Sequence, residues 1–290
     1  MHFQRDFSIS YRRMIELAPK RFAQWLLHRL IPPAAERYRY RPGDTVVEDF
    51  AEFSGLPLPE VARQVSNFEE INADEWSSMK QTEFAARAAN FYGQSENFAF
   101  AILSANPRPA AVVQKLDRFN PRVMQAIRAH PGKRFLDFGG GIGVFCEIVC
   151  RLGKDVHYLE LDGLASRFAL WRFKKLGLPI TFIEAQPDRI SIPGKYDIVY
   201  TDAVLEHLPP PLQLEATSAL ARAVEPRGLM VFLVDLSGPT PQDPMHHEVD
   251  IRKLHGILSN EGLSCEDGLY TFCSIWRRAG APFSLGTSPR

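Results

Sequence analysis

Phe135-Leu136-Asp137-Phe138-Gly139-Gly140-Gly141-Ile142-Gly143 reads as an apolar strand that ends in an acid, passes into glycine and opens an apolar helix. Without Cβ atoms such a turn can take positive φ and let a ligand approach the backbone closely. The free N–H groups at the start of the following helix attract an anionic group. The stretch therefore predicts an α/β unit whose first turn touches a nucleoside-type cofactor.

Two cofactor classes use this kind of turn, and the residues separate them. Dinucleotide binders need G-x-G-x-x-G, in which the last glycine admits close helix–sheet packing beside the pyrophosphate. Here Gly139 and Gly141 fit, but the last position is Val144 and the spacing is G-x-G-x-G through Gly143. Asp137 would also repel a pyrophosphate, whereas a ligand bearing an ammonium would welcome it. S-adenosylmethionine carries an ammonium, a carboxylate and a sulfonium, and an acid beside exposed amides matches that end. The next strand, Val156-His157-Tyr158-Leu159-Glu160-Leu161-Asp162, places its acid about 20 residues on, the spacing of a ribose-binding carboxylate. Glu160, with Leu161 beside it, is the expected sugar contact. Asp162 is the alternative if the strand runs two residues longer, or it caps the next helix.

With these residues in place, the chain resembles the class I S-adenosylmethionine-dependent methyltransferases. Tyr196-Asp197-Ile198-Val199-Tyr200 through Val204-Leu205-Glu206-His207-Leu208 is similar to that family's fourth strand and the turn after it. Ala223-Val224-Glu225-Pro226-Arg227-Gly228 resembles its entry to the fifth, with Arg227 where glycine is usual. The resemblance covers roughly residues 130 to 280 and implies S-adenosylmethionine as cofactor. It also implies that Glu184 and Ala185, at the end of Ile180-Thr181-Phe182-Ile183-Glu184-Ala185, meet the adenine, with Asp188 as an alternative to Glu184. Asp202 then borders the methionine portion.

The alternation of strand and helix after Pro131 predicts an α/β, doubly wound, mostly parallel sheet with helices on both faces. Strands are expected near 134–138, 155–161, 180–184, 196–201 and 229–235, with helices starting near Ile142, Gly163, Pro210 and Val249. Leu269 to Trp276 is strand-like and follows Gly262-Leu263-Ser264-Cys265 too closely for a helix to intervene. An antiparallel terminal hairpin therefore completes a seven-stranded sheet, as the resemblance implies.

Residues 1–130 read as an N-terminal helical cap or dimerisation region, and 131–290 as the cofactor domain. Tyr11, Met14, Phe22, Trp25 and Leu30 recur at helical spacing opposite Arg12, Arg13, Lys20 and Arg29, an amphipathic basic helix expected to pack on the rest of the chain, with a membrane surface or an acidic partner as the alternative. Thr45 to Leu56, the Pro57/Pro59 break and Val61 to Val65 outline a helix-turn-helix. Its acids, Glu48, Asp49, Glu52 and Glu60, argue against DNA and for a structural role. A further helix is expected from about Asp74 to Tyr92, with Trp76, Met79, Phe84, Ala88 and Phe91 inward and Gly93 ending it. Tyr92 reads as a core tyrosine or, as the functional alternative, a lid aromatic.

The chain of 290 residues has 34 Lys+Arg and 34 Asp+Glu, so the broad positive footprint of a nucleic-acid enzyme is missing. Cys146, Cys150, Cys265 and Cys273 form neither a zinc pattern nor a disulfide framework, and no metal is expected. No apolar stretch is long enough to span a bilayer, which reads as a cytoplasmic protein. The substrate is expected to be a small molecule, and a homodimer is plausible. A nucleic-acid methyltransferase and a non-catalytic cofactor-binding regulator are the alternatives, and Val144 with Asp137 disfavours a nicotinamide dehydrogenase.

For catalysis, positioning in front of the sulfonium matters most, and a base is needed only for a protonated acceptor. His207, after the fourth strand, is the first candidate. His246 and His247, after the fifth, could reach the acceptor from the opposite wall, and His247 is the second candidate. Their bland alternative is an exposed loop with Glu248 or Asp250 capping the next helix.

Overall fold

The computed structural model describes residues 39–79, 86–87, 91–93, 95, 97–241 and 243–280. The expected basic N-terminal helix, and Phe84 and Ala88, lie outside the described residues. Residues from Arg39 onward cluster as one compact unit.

Seven strands form one sheet: β1 Arg134–Phe138, β2 Asp155–Leu161, β3 Thr181–Ala185, β4 Tyr196–Thr201, β5 Val224–Leu233, β6 Leu263–Asp267 and β7 Cys273–Arg278. Their order is β3-β2-β1-β4-β5-β7-β6. The first five run parallel, and β7 is antiparallel to both β5 and β6. The alternating pattern and the terminal hairpin are thus as the sequence predicts. β1 and β4 are buried along nearly their whole length because both faces are covered, as parallel strands require. The chain crosses from β1 to β2 on one side and reaches β4 on the other, so β1 and β4 flank the switch point where a ligand crevice opens in such sheets.

β5 begins at Val224, earlier than expected, and the ladder to β4 shifts register between Tyr196 and Ile198. Arg227 takes φ 66 there, the left-handed conformation that glycine adopts more cheaply. Before Val249 the chain stays irregular, and the helix Ile251–Asn260 starts from Asp250, whose carboxylate accepts the Lys253 N–H at 3.1 Å.

The helix pair Thr45–Ser54 and Leu58–Ser66 turns at Gly55, which has φ 72. It docks on the helix Leu164–Leu176: the Phe50 ring lies 5.1 Å and the Phe53 ring 5.5 Å from Phe168. The acids that argued against DNA are engaged within the chain. Asp49 accepts from Arg172 at 2.8 Å and Lys175 at 2.7 Å, Glu52 from Lys175, Glu48 from Tyr40, and Glu60 from Arg63.

The expected helix from Asp74 to Tyr92 is corrected. A helix runs Phe68–Ser78 and stops at Met79, which is extended. Trp76 and Phe91 would be about 22 Å apart along one helix axis, yet their rings sit 5.2 Å apart. The chain turns back to bury both against Met245, and Arg87 lies 4.0 Å over the Trp76 ring. The helices Asn97–Ala105, Pro109–Phe119 and Arg122–Ala129 complete the N-terminal half.

Candidate functional site

A cavity of about 350 Å³ opens over the carboxyl ends of β1, β2, β3 and β4, roofed by the N-terminal helices. Of the expected residues, Asp137, Gly139, Gly140, Gly141, Glu160, Leu161, Ala185, Asp202 and His207 line it. Gly143, Glu184 and His247 do not. Gly143 instead faces the helix Leu164–Leu176, where an added Cβ would lie 2.3 Å from Phe173. Glu184 is exposed on edge strand β3, and Gln186, Pro187 and Arg189 of the following turn reach the cavity with Ala185.

The glycine turn is shaped by its neighbours. Gly139 has φ 73, and a Cβ there would collide with Val204 at 2.3 Å. A Cβ on Gly140 would lie 2.7 Å from the Tyr158 ring and 2.9 Å from Asp137 Oδ2. The Tyr158 hydroxyl donates to Gly141 O, and the Gly141 N–H donates to Glu160 Oε2 at 2.7 Å. Glu160 Oε1 accepts from Leu161 N at 2.8 Å. Next to Val204, Ala203 adopts φ 56, a conformation whose strain is characteristic of functional turns.

Four carboxyl groups crowd this end of the sheet. Asp137 is 2% exposed and receives the Cys146 thiol at 3.1 Å. Burial pushes its carboxyl up to about 7, with Asp202 and Glu160 adding to the rise and the thiol opposing it. Burial also raises Glu160, against the pull of its two backbone donors. Glu206, fully enclosed, accepts from Asp235 N at 3.0 Å and is pushed by burial to about 8. Asp202 accepts from Tyr200 and from Lys115, each at 3.2 Å.

The wall opposite the turn is aromatic. The Tyr92 hydroxyl sits 3.0 Å from His207 Nδ1, with the Phe98 ring 5.9 Å and the His246 ring 4.6 Å from the His207 ring. Burial, then His246 and His247, hold His207 well below its usual range, so it is neutral. His246 lines the cavity. The His247 N–H is spent on Glu206 O at 2.7 Å, pinning the loop after β5 to the turn Leu205–His207.

These features fit an S-adenosyl group. The turn is a cradle that Cβ atoms would fill, Asp137 is a buried acid suited to an ammonium, and Glu160 lies where a sugar would follow. Sequence reasoning missed Lys115. Its signal was present, since it falls three residues after Val112 and one before Leu116, beside the buried stripe of its helix. Tyr158 was also missed, because its role is contact with a backbone carbonyl distant in sequence.

The methyltransferase-domain family matches residues 107–281 of the chain. A ubiquinone biosynthesis O-methyltransferase of Burkholderia thailandensis is 33% identical over 129 residues, which are 43% of this chain and 55% of that protein. Its counterpart in Methylococcus capsulatus is 30% identical over 129 residues, 43% of this chain and 54% of that protein. The chain spans about half the length of these curated relatives. An O-methyltransferase family protein from Burkholderia thailandensis shares the fold, with a TM-score of 0.50 at 13% identity over 76% of this chain and 72% of that one.

Proposed function

The chain belongs to the methyltransferase-domain family, and from that premise we propose that it transfers the methyl group of S-adenosylmethionine to an oxygen of a small-molecule acceptor. The observation that carries the reading is the convergence of Asp137, the glycine turn and Glu160 on one cavity with the aromatic wall across it. Asp137 takes the cofactor's ammonium, and Lys115 beside Asp202 supplies counter-charge for its carboxylate. Glu160 accepts the ribose hydroxyls, and the turn Ala185–Arg189 covers the adenine. The cofactor supplies an electrophilic methyl on a sulfonium that leaves readily. The protein's part is to hold the acceptor between Tyr92, Phe98, His207 and His246 in line with that methyl, where orientation is worth up to about 7–11 kcal/mol.

The oxygen acceptor is supported by the named activity of the matched relatives, and the small size of the acceptor by a cavity of about 350 Å³. The helices before residue 131 act as the cap in this reading. It places the enzyme in the cytoplasm; no helix among the described residues is long and apolar enough to cross a membrane. Two copies paired through the helices Thr45–Ser66 would appear in sedimentation as twice the chain mass.

Calorimetry with S-adenosylhomocysteine and with NADH tests the reading. Binding of the first and not the second is expected. Binding of NADH alone would overturn it.

A further inference from the structure

The acceptor side of the cavity holds a pair whose hydrogen bond decides which way a proton can move. The Tyr92 hydroxyl and His207 Nδ1 are 3.0 Å apart, and both residues line the cavity. Among the described residues the Tyr92 hydroxyl has this one hydrogen-bond partner. Donation from the hydroxyl to Nδ1 satisfies both groups, whereas the reverse would leave the hydroxyl proton in a buried setting without an acceptor. A neutral imidazole that accepts at Nδ1 carries its proton on Nε2. The His207 ring lines the cavity, and with Nδ1 engaged by Tyr92 Nε2 is the ring nitrogen left to meet an acceptor. The ring cannot easily swing away from this setting. Phe98 and Tyr92 meet it edge-on at 5.9 and 5.4 Å, and His246 closes the other side at 4.6 Å.

We propose that Tyr92 is a positioning residue that locks His207 in its Nε2–H form, so that His207 holds the acceptor as an oxyanion and does not remove its proton. The inference deepens the methyl-transfer reading and rests on it. It assigns the substrate class: an acidic oxygen acceptor, a phenol, enol or carboxylic acid, that gives up its proton to solvent before the reaction. The acceptor's oxygen then donates an electron pair to form the O–CH3 bond as the S–CH3 bond breaks and that pair stays on sulfur. Oxyanion and sulfonium both end neutral, and no enzyme group changes protonation.

The surroundings agree with a donor. The depressed basicity of His207 makes it a poor proton acceptor at neutral pH, and burial keeps the Tyr92 hydroxyl protonated. The other titratable or charged groups facing this pair are Glu206 on the same turn, Asp202 at the end of β4, Asp243, His246 and His247 on the loop after β5, and Arg87. His246, the other histidine on the cavity, is the rival proton acceptor.

The test is nitrogen NMR of the histidine-labelled 290-residue chain saturated with S-adenosylhomocysteine. His207 is expected to show the Nε2–H tautomer and to stay neutral through neutral pH, and Tyr92→Phe to shift it toward the Nδ1–H form. An Nδ1–H tautomer in the wild type, or a His207 that protonates near neutrality, overturns the proposal. Failure of S-adenosylhomocysteine to bind at all would instead overturn the methyl-transfer reading, so the two failures are distinct. In turnover of phenol and 4-cyanophenol, the acidic limb of the pH profile should follow each phenol's own ionisation. His207→Gln, which keeps an N–H donor, should retain more kcat than His207→Ala, for which a loss of about 10²-fold or more is expected. A limb at the same pH for both phenols that vanishes in His246→Ala would make His246 the base and contradict the proposal.

Discussion

Two clusters of acids meet the helix Val144–Arg151, an outer one through Glu147 and an inner one through Cys146, and they are balanced differently. On the outer side Asp49 and Glu147 share Arg172, which is 2% exposed, and Lys175 and Arg151 complete the network. Every acid there meets a cation. On the inner side Asp137, Glu160, Asp202 and Glu206 face or adjoin one cavity, and among the described residues Lys115 is the one cation paired with them, while burial raises Asp137, Glu160 and Glu206. The outer cluster is finished and clamps the helix Thr45–Ser54 to the helix Leu164–Leu176. The inner cluster is short of positive charge, and its shortfall is what an ammonium and a sulfonium would make good.

The largest effect should come from breaking the finished cluster. Arg172→Ala takes the buried guanidinium from Asp49 and Glu147 and leaves them only the more exposed Lys175 and Arg151, so a loss of about 3 kcal/mol, the low end for breaking a buried pair, is expected in denaturant unfolding. A loss below about 1 kcal/mol would show that the clamp is decorative. In the inner cluster Glu160→Ala should weaken S-adenosylhomocysteine by about 1–3 kcal/mol, roughly 5- to 150-fold in calorimetry, with little change in stability. If it lowers stability and leaves affinity intact, the two clusters are of one kind.

Asp137→Asn should act in opposite directions on binding and stability. An ordinary aspartate ionises near 3.8 and Asp137 near 7, so between those values the folded chain binds more protons than the unfolded one. Stability of the wild type therefore falls as pH rises through that window. The ligand-free variant should melt higher than wild type at pH 8 and about equally at pH 4, while binding S-adenosylhomocysteine more weakly at pH 8. The smallest effect belongs to Lys115→Met. Its pair with Asp202 is partly exposed, and stability should change by less than about 1 kcal/mol.

The sequence foretold the sheet because its signals are local. Alternating apolar runs give β1 to β5, and the short spacing after Gly262 leaves room only for a hairpin. Asp137 and Glu160 were legible for the same reason, each being the acid at the end of an apolar run. The cap was less so. The turn back after Ser78 depends on Trp76 meeting Phe91 and Met245, which no local pattern encodes. Lys115 and the Tyr92–His207 pair join segments far apart in the chain. His246 and His247 are equivalent by spacing, and only the bond from the His247 N–H to Glu206 O separates them.

The central claim is that the inner acids are waiting for a cationic ligand, and proton release on binding tests it most directly. S-adenosylhomocysteine should be titrated near pH 6 in two buffers of different ionisation enthalpy. As Asp137 ionises to meet the ammonium, about one proton should leave per ligand bound, and the release should vanish in Asp137→Asn. Binding of equal strength without proton release in the wild type would contradict the account.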